Sequence, residues 1–196
     1  MDLAMCTGRP HEMKPNATGD GQRGFTLMEL MVAITVFGIL TALAVPSFTT
    51  MTNRNKLAAE SNELLSAFQY ARMEAIRTSA SVTVCGTASS DADADEDCES
   101  GEQPFWVVIG TTTSGGQEQL RSYEVREPLK VSTDLESVVF RADGLTRDDT
   151  EALVAGEITV CLETTRPAQN KRVLNIASGS RVAITTPAED GGGTCE

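Results

Sequence analysis

Hydrophobic and polar positions change their spacing along the chain, and each change predicts a different element. From Phe25 to Phe48 almost every position is apolar, interrupted by Glu29 and a few Thr or Ser. Beyond Pro46 the apolar positions fall back to helical spacing. Leu57, Leu64, Phe68, Ala71 and Ala75 share one stripe, widened by Leu65 and Ile76, while Arg54, Lys56, Glu60, Glu63, Arg72, Glu74 and Arg77 occupy the rest. Run and stripe together predict one long helix ending near Thr78. Pro46 removes a helical hydrogen bond, so a kink or local melting is expected there. After the helix come short β-like runs separated by turn signals: "SVTVCG", "FWVVIG", "QLRSYEVR", "SVVFRADG" and "EITVCLE". A final stretch, "RVLNIASGSRVAI", reads as a hairpin turning at Ser178-Gly179. One helix followed by successive strands indicates an α+β fold, not alternating βαβ units.

The apolar run is long enough to cross a bilayer core of roughly 30 Å as a helix. The segment before it is polar, with Arg9, Lys14 and Arg23 balanced by Asp2, Glu12 and Asp20. An ordinary secretory signal carries its small-residue cleavage site after the apolar region. Here the small residue, Gly24, precedes it, so a cut at that point leaves the helix attached. Glu29 is the costly residue. A carboxylate at mid-membrane costs about 2.5–3.5 kcal/mol on insertion scales, less near the interface. It therefore reads as functional, set against a snorkelling carboxylate at the cytoplasmic edge, which its short side chain disfavours.

"GFTLMEL" resembles the class III signal of type IV pilins and type II secretion pseudopilins. The resemblance implies that a prepilin peptidase cuts after Gly24 and methylates the new N-terminal Phe25. It also implies that Glu29 pairs with the N-terminal amine of a neighbouring subunit during assembly. "AVPSF", with its proline at Pro46, resembles pilins proper, where the residue loosens the helix for packing into a filament. The order "ELLSAFQYARMEAIRTSASVTVC", "FWVVIG", "VVFRADG" and "ITVCLE…KRVLNIASGSRVAI" is similar to the GspH/FimT branch over nearly the whole mature chain. The expected organisation is a cleaved leader at 1–24, a membrane and filament-core helix at 25–48, an amphipathic helix at 49–79, and a β-rich head at 80–196 packed on it in a pilin-like fold. The expected setting is a single-pass inner-membrane protein with a periplasmic head, later part of a pilus or pseudopilus. Its partners would be the prepilin peptidase, other minor pilins and the major pilin.

Composition narrows the chemistry. Formal net charge is −12, so general attraction to nucleic acid or anionic lipid is not the default. The single histidine, His11, lies in the leader, so a mature chain has none for acid–base or metal chemistry. No P-loop, GxGxxG or catalytic-serine motif occurs, and the reading is a structural protein with no cofactor. Cys6 belongs to the leader. Cys85, Cys98, Cys161 and Cys195 suit an oxidising compartment and allow three pairings. Sequence proximity and the hairpin favour Cys85–Cys98 and Cys161–Cys195. Zinc is the alternative, but no CxxC spacing supports it.

Two charged stretches remain. "DADADEDCESGE" places Asp91, Asp93, Asp95, Asp97, Glu99 and Glu102 at spacings that imitate a calcium loop, but Glu96 stands where the sharp turn needs glycine. A solvated acidic loop is the reading. Residues 164–187 hold Arg166, Lys171, Arg172 and Arg181 and no acid. Some FimT-type minor pilins bind DNA through a C-terminal Gly-Arg-x-Arg motif. This chain has "GSRVAI", with Ser180 and Val182 where that motif has its arginines, so DNA is a possible partner with a degraded motif.

Overall fold

The computed structural model describes residues 24–91, 98–112, 115–147, 152–177, 180–188 and 192–195. It divides into two compact units, the first ending at Ala42 and the second running from Leu43.

Helix α1 spans Leu27–Thr78 and stays helical through Pro46. The expected local melting at the proline is therefore not seen. Around it, hydroxyls satisfy themselves on the helix. Thr49 donates to the Val45 carbonyl at 2.9 Å and Thr50 to the Pro46 carbonyl at 3.0 Å. Thr35 and Thr41 bond back to their own helix in the same way. This explains how hydroxyl residues sit in an apolar run, because a bonded hydroxyl carries little of its desolvation cost.

In the unit from Leu43 onward, α1 buries Leu57, Glu60, Ser61, Leu64, Ala67, Phe68, Ala71 and Ala75. These recur every three or four positions, the spacing of one helical face. Two expectations need correction. Glu60, assigned to the polar face, is buried. Ile76, assigned to the stripe, is 50% exposed, with its tip over Gly144.

The strands are β1 (Val82–Thr87), β2 (Gly101–Glu102), β3 (Phe105–Thr111), β4 (Gln117–Glu124) and β5 (Leu129–Thr133). Next come β6 (Val138–Phe140), β7 (Gly156–Leu162), β8 (Lys171–Ala177) and β9 (Arg181–Thr185). They form a four-stranded sheet, β4-β3-β1-β6, and a five-stranded sheet, β2-β5-β7-β8-β9, with every pairing antiparallel. β5 and the two-residue β2 were not expected from the sequence. The β8–β9 hairpin is present, but Ser178 and Gly179 at its turn lie outside the described residues. The run expected at 137–144 is strand only to Phe140. It then turns through Gly144, whose φ of 73° favours glycine and where a Cβ would lie 2.8 Å from the Ile76 tip.

The main core joins the α1 face to both sheets. Phe68 packs against Trp106 and Phe140, with ring centroids 6.4 and 6.3 Å away. β1 and β3 are covered on their second face too. There Cys85, Val107 and Ile109 form a small cluster under Cys98. Burial on both faces is why these two strands read as apolar runs with little alternation.

Candidate functional site

The N-terminal end of α1 is built by capping. Thr26 precedes the helix, and its Oγ1 accepts the Glu29 N–H at 3.1 Å, while its carbonyl accepts the Leu30 N–H. Thr26 is thus the N-cap and Glu29 the third helical residue. Thr-x-x-Glu at a helix start is the capping-box signature, a signal that the sequence reading passed over. An acid there also complements the positive end of the helix dipole. Capping gives Glu29 a local role, but it does not occupy the carboxylate, for which the structure shows no hydrogen bond or ion pair among the described residues.

Gly24 and Phe25 lie just ahead of the helix, and Phe25 is 79% exposed. A Cβ on Gly24 would meet nothing within 4 Å, and its backbone is outside the left-handed region. Local geometry gives no reason for glycine at this position. Beyond it the apolar run has no cover of its own: Leu27, Leu30, Ile34, Phe37, Leu40 and Leu43 are all exposed. By length and composition this helix can cross a membrane.

Both expected disulfides are present. Cys85–Cys98 closes β1 onto the segment before β2, and Cys161–Cys195 ties the C-terminal tail to β7. The acidic loop can be followed only in part, since Asp93, Asp95 and Asp97 lie outside the described residues. Glu99 accepts a hydrogen bond from Gln103, and Glu102 pairs with Lys130 at 3.5 Å. Among the described residues no cluster could hold a metal ion.

The basic residues near the C-terminus do not form one face. Arg172 shares its side of the sheet with buried Leu174 and Ile176. Arg181 is paired with Ala177 and points to the opposite side. The two also sit about five strand residues apart, roughly 17 Å. Arg166 lies instead at the foot of the head. Its carbonyl accepts Asn53 Nδ2 at 2.7 Å, and its N–H donates to Thr164 Oγ1. Ser180, which replaces the first motif arginine, is 3% exposed with φ of 63°. Its hydroxyl accepts the Thr146 N–H and donates to Thr146 Oγ1. The position is a packed turn with no room for a solvent-seeking arginine.

Fold and anchor together define a class: a pilin-like α+β protein, one long N-terminal helix carrying antiparallel sheets. The model of the family described as "Type II transport protein GspH" matches residues 60–184, and that of the "Prokaryotic N-terminal methylation motif" matches residues 20–45. The chain belongs to the GspH family. Among solved structures it is similar to the minor pseudopilin EpsH from the type 2 secretion system of Vibrio cholerae. That match has 9% identity, 68% of this chain, 99% of the other and a TM-score of 0.50. It is also similar to the type IV minor pilin FimU of Pseudomonas aeruginosa, with 21% identity, 72% and 96% coverage and a TM-score of 0.48. At 9% identity the EpsH likeness speaks to the fold alone.

Proposed function

We propose that this chain is a minor pilin, a structural subunit that helps initiate or cap a type IV pilus and works by assembly, not catalysis. The observation that carries this reading is the uncovered first half of α1, apolar all round and headed by a carboxylate with no partner among the described residues. A helix of that kind is stable in lipid or among like helices, not in water. In this reading prepilin peptidase cleaves after Gly24 and methylates Phe25. The new amine then meets Glu29 of a neighbouring subunit, and the pairing removes two unfavourable buried groups together. The head faces the periplasm, where its two disulfides would persist.

Intact mass of the protein co-expressed with a prepilin peptidase tests the reading. The expected species begins at a methylated Phe25 with the helix retained. A cut after the apolar run, or no cut at all, overturns it.

The family match favours a second reading, a GspH-type pseudopilin of type II secretion. Deleting the gene separates the two. Loss of surface filaments with normal protein secretion supports the pilus, and the reverse supports the secretion system. A DNA-binding subunit is the weaker reading, because its four cations are split between two sides of a sheet and a separate loop.

A further inference from the structure

We propose that the cleft at the foot of the head binds the phosphate group of an anionic phospholipid in the leaflet facing the head. The proposal rests on the membrane-anchored reading above.

The cleft is shallow and open to solvent, with a volume of about 410 Å³, and is lined by Pro46, Thr50 and Arg54 of α1 and by the loop containing Arg166. Two arginines therefore border one space. Arg172 lies outside that lining, where burial first and then the Arg54 charge hold its guanidinium below the usual range. None of the three has a carboxylate partner among the described residues. This occurs in a chain with 28 acidic and 16 basic residues, where counter-charges are plentiful. Gathering like charges is unfavourable unless an anion joins them. The loop is also held in place, through the Asn53 bond to the Arg166 carbonyl and the Thr164 turn. Arginine forks on a fixed loop suit the bidentate geometry of a phosphate.

Position selects the lipid over other phosphates. Pro46 lies two residues before Phe48, where the apolar run ends, and Arg54 is the next charged residue. From Pro46 to Arg54 the helix rises about 12 Å, against a headgroup layer of roughly 5–8 Å per leaflet. An arginine stem reaches back over the remainder. The cleft thus spans the level that headgroups occupy. A DNA duplex would have to press against the membrane to enter it, and Arg181 on the other face offers no continuing track. Bound lipid would hold the head down on the membrane before assembly and be surrendered when the subunit leaves.

The test uses the full chain in nanodiscs of phosphatidylcholine mixed with phosphatidylglycerol, counting the lipids that remain bound in native mass spectrometry. Enrichment of phosphatidylglycerol on the wild-type chain is expected. The double variant R54Q/R166Q should lose it by about fivefold per charge removed. R54K/R166K should keep most of it, which separates loss of charge from loss of fold. Absence of enrichment in the wild type, or full enrichment in R54Q/R166Q, overturns the proposal. So does displacement of the lipid by inorganic phosphate, which marks a free-anion site, or by a short DNA duplex, which marks a nucleic-acid site. Failure of the chain to enter discs of phosphatidylcholine alone would instead overturn the membrane reading itself.

Discussion

The early and late parts of α1 use apolar residues for different ends. Leu30, Phe37 and Leu40 are exposed, whereas Leu57, Leu64 and Phe68 are buried against strands of the same chain. The late stretch alternates apolar and polar faces because one side has a sheet to cover it. The early stretch is apolar all round because its cover must come from elsewhere. Glu29 and Glu60 sharpen the contrast. One is exposed in a stretch where lipid or another subunit must replace water, and the other is buried within the head. The early half stores an unmet requirement for partners, and the late half meets its own except at the Glu60 carboxylate.

The largest effect should come from breaking that unmet requirement. Glu29→Ala and Glu29→Gln should both be processed yet enter filaments more than about tenfold less well, since leaving one member of a buried pair unmatched costs roughly 3–5 kcal/mol. Glutamine also serves in a capping box, so equal failure of both variants assigns the loss to charge and not to the helix start. Thr26→Ala should cost about 1 kcal/mol of capping and leave incorporation largely intact. Immunoblots of sheared filaments give the readout. Normal incorporation of Glu29→Gln sinks the pairing.

In the head the same comparison becomes a stability measurement. Phe68→Ala removes the ring between Trp106 and Phe140 and should destabilise the head by about 3–5 kcal/mol. Leu40→Ala, a comparable truncation on the same helix, should change head stability by less than about 0.5 kcal/mol. Denaturation of the full chain in detergent, followed by the fluorescence of buried Trp106, compares them. Similar losses would mean that the early helix supports the head after all.

The disulfides come next. Each pair replaced by serine should cost about 2–4 kcal/mol. Cys161–Cys195 closes a separation of 34 residues and Cys85–Cys98 one of 13. Chain entropy then makes the first pair worth roughly 1 kcal/mol more. The same denaturation experiment reads this, and a larger loss for Cys85–Cys98 would assign the stabilisation to packing over Val107 and Ile109 instead.

Legibility followed the strength of local signals. The helix end at Thr78 and the β1 and β3 runs were plain because long periodic or doubly buried segments leave dense apolar patterns. β5 was not, because "LKVST" offers Leu129 and Val131 as its only clear apolar positions and follows a proline; its pairing with β7 supplies what its own composition lacks. The basic residues looked like one stretch because sequence order hides which side of a strand each occupies. The cleft at Arg54 was invisible for a related reason: Arg54 and Arg166 are far apart in the chain and meet only through the fold.

Glu60 is the finest test, since it was read as a surface residue and is 3% exposed. Burial first, and then the nearby Glu63, raise its carboxyl above its ordinary value, while Arg126 acts in the opposite direction. Arg126 cannot serve it fully, for its guanidinium lies 2.6 Å from Glu63 Oε2 but 3.9 Å from Glu60 Oε2, which has no hydrogen bond. A raised value means that the folded head holds this proton more tightly than the unfolded chain. The stability it lends is complete below the ordinary carboxylate value of 4.5 and is lost as pH rises through the raised one. Glu60→Gln removes that dependence while keeping shape and hydrogen-bonding capacity. It should leave stability near pH 4 almost unchanged and increase it near pH 8 by about 1 kcal/mol, the scale of one unsatisfied buried group. Parallel pH–stability curves for Glu60→Gln and the wild type would show that Arg126 already compensates the charge. The late half of the helix would then carry no unmet requirement at all.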